Sequence, residues 1–205
     1  MRALVTVLLI GCLAQTARAQ DSASAGAWSW NASLWLYAVP EDANYLQPTV
    51  AADHDWLHLE GRYNYEALET VSFWAGYNIE AGSKVTMLLT PMIGGVVGDL
   101  NGVAPGYELT LDWWKLELYS EGEWVFDFDD SSENFFYNWS QLGISPLDWL
   151  EAGIATQRTR AYQSDRDIQR GLFAGLTWRR LNFTTYFFNP DDDSPTWILT
   201  LTYTH

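Results

Sequence analysis

Residues 56–79 read WLHLEGRYNYEALETVSFWAGYNI. Alternate residues in the first half fall into two sets. Leu57, Leu59, Gly61, Tyr63 and Tyr65 form one; Trp56, His58, Glu60, Arg62 and Asn64 form the other. After a break at residues 66–69 the alternation resumes, with Val71, Phe73, Ala75, Tyr77 and Ile79 against Ser72, Trp74, Gly76 and Asn78. Successive side chains of a strand point to opposite faces, so this is a β-hairpin with one apolar and one polar face. A soluble sheet would bury the apolar face in a core. A membrane barrel would turn it to lipid and line a wet lumen with the polar face.

The same alternation spreads outward from this hairpin. Upstream lie Trp28, Trp30, Ala32, Leu34, Leu36 and then a weaker set, Leu46, Pro48, Val50, Ala52. Downstream come Val85, Met87, Leu89, Pro91, Ile93, and, after an expected glycine-rich connection over 94–106, Tyr107, Leu109, Leu111, Trp113. The phase then slips to Leu116, Leu118, Trp124, Phe126, which predicts a tight turn at Trp113-Trp114. Residues 135–144 and 150–160 read as strands whose facing the pattern leaves open. Leu172 to Trp178, Leu181 to Phe187 and Trp197 to His205 complete the series. The expectation is about twelve strands, with ten as the alternative, and almost no helix. Short turns near residues 53–55, 80–83, 113–114, 145–148 and 179–180 alternate with mostly longer, more acidic connections. That alternation separates the two ends of an up-and-down barrel, and an even strand count puts both termini at the short-turn, periplasmic end.

Residues 1–19 carry a secretory signal: Arg2, an apolar run from Ala3 to Ala14, and an Ala17-Arg18-Ala19 cleavage site. The expected division is a signal peptide over 1–19 and a single domain over 20–205. Cys12 is the only cysteine, so the mature chain must be stabilised by burial or sheet closure rather than disulfides. The formal charge of −15 argues against nucleic acid as a partner. Twelve Trp and eleven Tyr argue against disorder and suit positions with one apolar and one wet side.

Two features favour lipid over a soluble core. The apolar sets carry aromatic residues at strand ends (Trp28, Tyr65, Trp113, Phe128, Trp178, Trp197), as in membrane aromatic girdles. The chain also finishes inside a strand, with Trp197, Leu199, Leu201 and Tyr203 alternating before His205. This resembles the C-terminal assembly signal of bacterial outer-membrane proteins, with His205 where Phe is usual. From about Trp28 to His205 the chain resembles bacterial outer-membrane β-barrel proteins of porin-like architecture. LHLEGRYNYE, TPMIGGVVGDLNGVAPG, LELYSEGEWVFD and ATQRTRAYQSDRDIQRG look like stretches of exported bacterial proteins. The resemblance implies an all-β, closed antiparallel transmembrane barrel in the outer membrane. Its implied partners are membrane lipid, periplasmic chaperones, the barrel-assembly machinery and small solutes.

Candidate functional residues lie on the polar faces. His58, Glu60 and Arg62 share one face at steps of roughly 7 Å. They read as a lumenal gating or catalytic group, or as a polar network with Arg62 paired to carboxylates on another strand. Glu117, Glu121 and Glu123 form an acidic rail: a cation path, or the partner of Arg62, Arg158 and Arg160. Arg158 and Arg160 are expected to face inward, because a lipid-facing Arg costs ~2–4 kcal/mol at mid-bilayer. Loop acids Asp129, Asp130, Asp191, Asp192 and Asp193 lack calcium-loop spacing. One histidine offers no metal site by spacing, and no cofactor or catalytic constellation is expected. The leading expectation is a passive pore for small polar or cationic solutes. The alternatives are a barrel plugged by inward Trp35, Tyr37, Trp74, Tyr119, Phe173, Tyr186 and Phe188, and a lipid-acting enzyme drawing on His54, His58 or His205.

Overall fold

The computed structural model describes residues 26–38, 43–161, 167–193 and 195–205. The expected signal peptide lies outside the described residues. The strand segments are β1 (Ser29–Ala38), β2 (Tyr45–His54), β3 (Leu57–Tyr63), β4 (Thr70–Tyr77), β5 (Ile79–Gly82), β6 (Val85–Gly98) and β7 (Gly102–Trp113). They continue as β8 (Leu116–Asp127), β9 (Phe135–Leu147), β10 (Leu150–Ala161), β11 (Asp167–Trp178), β12 (Leu181–Phe188) and β13 (Thr196–Thr204). β4 and β5 lie end to end against β6, interrupted at Asn78, so the wall has twelve strands. Every neighbour is antiparallel and follows chain order, and β13 pairs with β1 to close the ring. Closure leaves no open sheet edge, the condition for crossing hydrocarbon with strands.

The β1–β13 seam extends to His205. His205 donates its backbone N–H to the Trp30 carbonyl at 2.9 Å, and its ring stacks on Trp30 at 5.5 Å. The ring contact carries the seam beyond the last paired strand residue, Thr204.

Two-residue turns join β2 to β3, β7 to β8, β9 to β10 and β11 to β12. Asp55, Trp114 and Arg179 open three of them at positive φ. The turn at Trp114 is the one the phase slip predicts, and these turns lie at the end of the barrel where β1 begins and β13 ends, as an even strand count requires.

The wall sorts its residues by face. Leu34, Val50, Leu59, Phe73, Ile93, Ile154 and Leu172 point outward and are exposed, while Gln47, Thr49, His58, Ser72, Trp74 and Trp139 point inward and are buried. A soluble protein does not expose a continuous belt of large apolar side chains. The belt is rimmed by Trp56, Trp113, Trp149 and Trp178 at the short-turn end and by Tyr63, Trp124, Phe126 and Trp197 toward the other. No described helix is long and apolar enough to cross a membrane; the strands do so.

Three sequence expectations need correction or completion. Residues 94–106 are not a loop. β6 runs to Gly98 and β7 starts at Gly102, leaving a three-residue connection. A Cβ at Gly94 would sit 2.5 Å from the Trp74 indole, so this glycine is the notch that admits an inward tryptophan. The open facing of β9 and β10 resolves with Trp139, Glu151 and Ala155 inward. Arg158 faces outward, not inward. It shares the parity of exposed Ile154 and lies over the Phe136 ring at 5.5 Å. Its register partner on β9 is Asn138, within a polar inset on the outer wall. There Ser120 and Ser140 hydroxyls are 2.9 Å apart, and Asn138 Nδ2 donates to the Glu121 carbonyl at 2.6 Å. Those contacts supply the partners that polar groups need in hydrocarbon. Arg160 lies on the same strand, but its side chain is outside the described residues.

The face assignment predicts that Leu59→Arg weakens folding into vesicles by about 2–4 kcal/mol, because it sets a charge in the lipid belt. Leu59→Phe should fold like the parent. Urea titration followed by the heat-modifiable gel shift reads both.

Candidate functional site

Arg62 projects from β3 into the barrel with its side chain 2% exposed. Nη2 donates to Glu60 Oε2 at 2.6 Å, and Nη1 donates to Glu123 Oε2 at 3.1 Å. Glu60 shares its strand. Glu123 sits on β8, separated from β3 along the wall by β4, β6 and β7. The second bond is therefore a tie across the lumen. The planar guanidinium is also held on its faces, 4.1 Å from the Tyr65 ring centroid and 4.6 Å from that of Trp74. In-plane carboxylates and stacked rings together satisfy a buried Arg as a Lys could not be. Trp74 is itself fixed through Nε1, which donates to Ser72 Oγ at 3.0 Å and Glu66 Oε1 at 3.2 Å.

The acidic rail joins this tie. Glu121 accepts from the Tyr65 hydroxyl through Oε1 and from the Tyr119 hydroxyl at 2.8 Å through Oε2. The Tyr119 hydroxyl also lies 3.2 Å from Glu108 Oε1. Toward the short-turn end, His58 Nδ1 is 2.9 Å from Asp53 Oδ1. Asn78 Nδ2 donates to the same oxygen at 2.7 Å, and Thr90 Oγ1 donates to Asn78 Oδ1 at 2.6 Å. The break in the strand at Asn78 thus lets one side chain lock Asp53 in place.

The other half of the interior is aromatic. Trp139, Phe173, Tyr186, Phe188, Ile198 and Tyr37 pack together, with Trp35 and Tyr119 against them. Trp139 is 1% exposed and Phe188 0%. All seven inward aromatics named from the sequence are interior residues. The lumen at the Arg62 level is accordingly dry, which corrects the expectation of a wet wall beside Glu60. Aromatic side chains from β9 to β13 fill the cross-section there. Along β7 and β8 the packing is looser, and Glu108, Glu117, Tyr119 and Glu121 are half-buried.

The structure therefore brings together His58, Glu60, Arg62, Glu121 and Glu123. It places Glu117 on the same face of β8, facing Asp112 on β7 across the register. It sends Arg158 outside. Lys115, in the β7–β8 turn, donates its ammonium to the Pro146 carbonyl of β9 at 2.5 Å. Sequence reasoning missed Tyr65, Asp53 and Glu151. Tyr65 has the parity of the lipid-facing set, but Asn64 adopts φ 57° and turns the next side chain inward. Asp53 was placed in a turn that is the end of β2. Glu151 fills the notch at Gly143, where a Cβ would lie 2.0 Å from its Oε1. The loop acids work locally. Asp127 Oδ1 accepts from the Asp129 and Asp130 amides, and hydrogen bonds from the Ser132 hydroxyl and amide hold the Asp130 carboxyl below its usual range.

With this geometry in view, comparison with known proteins identifies the fold. No protein-family model and no curated protein sequence matches the chain. Among solved structures, the KdgM porin aligns at TM-score 0.65 and 11% identity, covering 84% of this chain and 98% of that one. The KdgM porin in complex with disordered oligogalacturonate aligns at 0.58 and 10%, covering 85% and 98%. The Acinetobacter baumannii outer membrane protein Omp33 aligns at 0.51 and 10%, covering 88% and 98%. The fold is that of bacterial outer-membrane porins: a closed twelve-strand barrel.

Removing the cation of the lumenal tie should be costly. Arg62→Leu leaves Glu60 and Glu123 buried without a counter-charge and should destabilise the barrel by about 3–5 kcal/mol in urea unfolding. Adding Glu123→Gln to that variant should recover part of the loss.

Proposed function

We propose that the barrel is a narrow passive channel for small polar solutes and that it prefers cations. The observation that carries this reading is an asymmetry of charge and burial. Among the described inward charges, Glu108, Glu117 and Glu121 are half-buried along β7 and β8, whereas the Arg62 guanidinium is fully buried between Glu60 and Glu123. A solute moving along that wall meets negative charge in a cramped, low-dielectric space, where its effect is large. The acidic loops at the far end add to the attraction. The porin fold of its structural neighbours supports a transport reading. An enzyme acting on lipid finds no support in His58, which is buried in the interior and bonded to Asp53 rather than to a hydroxyl. Residues 1–19 serve in this reading as the export signal, and the terminal strand Trp197 to His205 as the segment handed by chaperones to the assembly machinery.

The buried aromatic cluster around Trp139 favours a second reading, a surface barrel with a permanently plugged lumen.

Planar-bilayer recording separates them. The channel reading predicts a small conductance whose reversal potential across a salt gradient is cation-selective. Selectivity should weaken toward 1 M salt, where the Debye length falls to ~3 Å. Glu117→Gln with Glu121→Gln should weaken it further. Anion selectivity would contradict the acidic wall, and the absence of any conductance would leave the plugged barrel.

A further inference from the structure

His58, Glu60 and Glu108 come from β3 and β7, and one donor atom from each lies within 4.8 Å of the other two. His58 is 4% exposed, and its Nε2 has no hydrogen-bond partner. The carboxylate oxygen closest to Nε2, Glu60 Oε2, is at 3.9 Å, too far for a hydrogen bond. A buried ring nitrogen left unbonded costs free energy unless something occupies the space it faces. The opposite ring nitrogen, Nδ1, is held by Asp53 at 2.9 Å, and Asp53 is held by Asn78. A carboxylate that fixes the far side of an imidazole, so that the near nitrogen presents its lone pair, is the usual support of a metal-binding histidine.

The spacing suits one ion. Donors bound to a common metal at about 2.0–2.2 Å stand roughly 3–4 Å apart. The Nε2 to Glu60 separation already falls in that range, and Glu108 needs only a small side-chain movement. The local charge favours occupancy too. Asp53, Glu60, Glu108, Glu121 and Glu123 converge on a region where Arg62 is the one guanidinium among the described side chains. A divalent cation would offset much of that excess.

We propose that His58, Glu60 and Glu108 form a lumenal binding site for a divalent first-row transition ion such as Zn2+, with Asp53 as the positioning residue for His58. One imidazole with two carboxylates selects such an ion over Mg2+ or Ca2+, which take oxygen donors. Glu60 would then bridge the ion and Arg62, so that loading stiffens the tie across the lumen. The site stands whether or not solutes pass through the barrel.

The test uses the folded mature barrel in detergent, stripped with chelator and titrated with Zn2+ by calorimetry, with Co2+ absorption as an independent reporter of ligand type. The expected result is one Zn2+ per barrel and a Co2+ spectrum with nitrogen and oxygen ligands. His58→Gln and Glu108→Gln should each weaken Zn2+ by at least about tenfold, and Asp53→Asn, which leaves all three donors, by about tenfold or more. Millimolar Mg2+ should not displace the ion. Asp192→Asn with Asp193→Asn, in the far loop, should leave binding unchanged. No stoichiometric binding, equal affinity in Glu108→Gln, or loss of binding on changing the loop acids would each overturn the site. If His58→Gln fails to give the heat-modifiable folded band, Glu108→Gln and the parent Co2+ spectrum decide.

Discussion

A single guanidinium organises the interior of this barrel. Arg62 carries its charge into a space that water barely reaches, and such a charge is tolerable only if carboxylates and stacked rings surround it. Glu60 and Glu123 supply the first requirement, and Tyr65 and Trp74 the second. The consequences run outward. Trp74 needs room, so its neighbours on β6 and β7 are glycines at positions 94 and 106. Tyr65 must turn inward, so Asn64 takes a left-handed backbone. Glu121 then finds two tyrosine hydroxyls. A polar cluster and the constriction it creates follow from accommodating one arginine.

The exterior answers to a different solvent. Lipid demands that every backbone group be paired within the wall, and the β1–β13 seam completes that pairing down to His205 and Trp30. It also demands apolar side chains, and the belt obeys except near Tyr107, Ser120, Asn138 and Ser140. There the serine, tyrosine and asparagine side chains bond to one another and to backbone, and the Arg158 guanidinium lies over the Phe136 ring.

Strand positions and facing were largely legible in the sequence because a period of two is a strong signal wherever charge and apolar residues segregate. β3 and β8 show this plainly. Legibility failed where that segregation fails. Arg158 was assigned inward on the cost of charge in lipid, but its strand places it outside, beside Phe136 and Asn138. Residues 94–106 looked like a loop because glycine marks turns. Here it makes room for an indole that belongs to another strand, which no local pattern reveals. The candidate site was half legible. His58, Glu60 and Arg62 share a strand face, so their proximity could be read directly. Their joining to Glu108, Glu121 and Glu123 depends on barrel closure, which sets β3 opposite β8, and spacing along the chain does not encode that.

The wall has a lipid side, a closed aromatic side within, and one strip of half-buried acids on β7 and β8. The proposed channel depends on that strip. Because Cys12 is the only cysteine, single cysteines can be placed along β8 in a Cys12→Ser background. The most direct measurement is their reaction with charged, water-soluble thiol reagents in folded barrels held in vesicles. The account predicts labelling at residues 117, 119 and 121, faster with a cationic than an anionic reagent, and protection at 116 and 118. Labelling without alternation, or protection at all five positions, would contradict it.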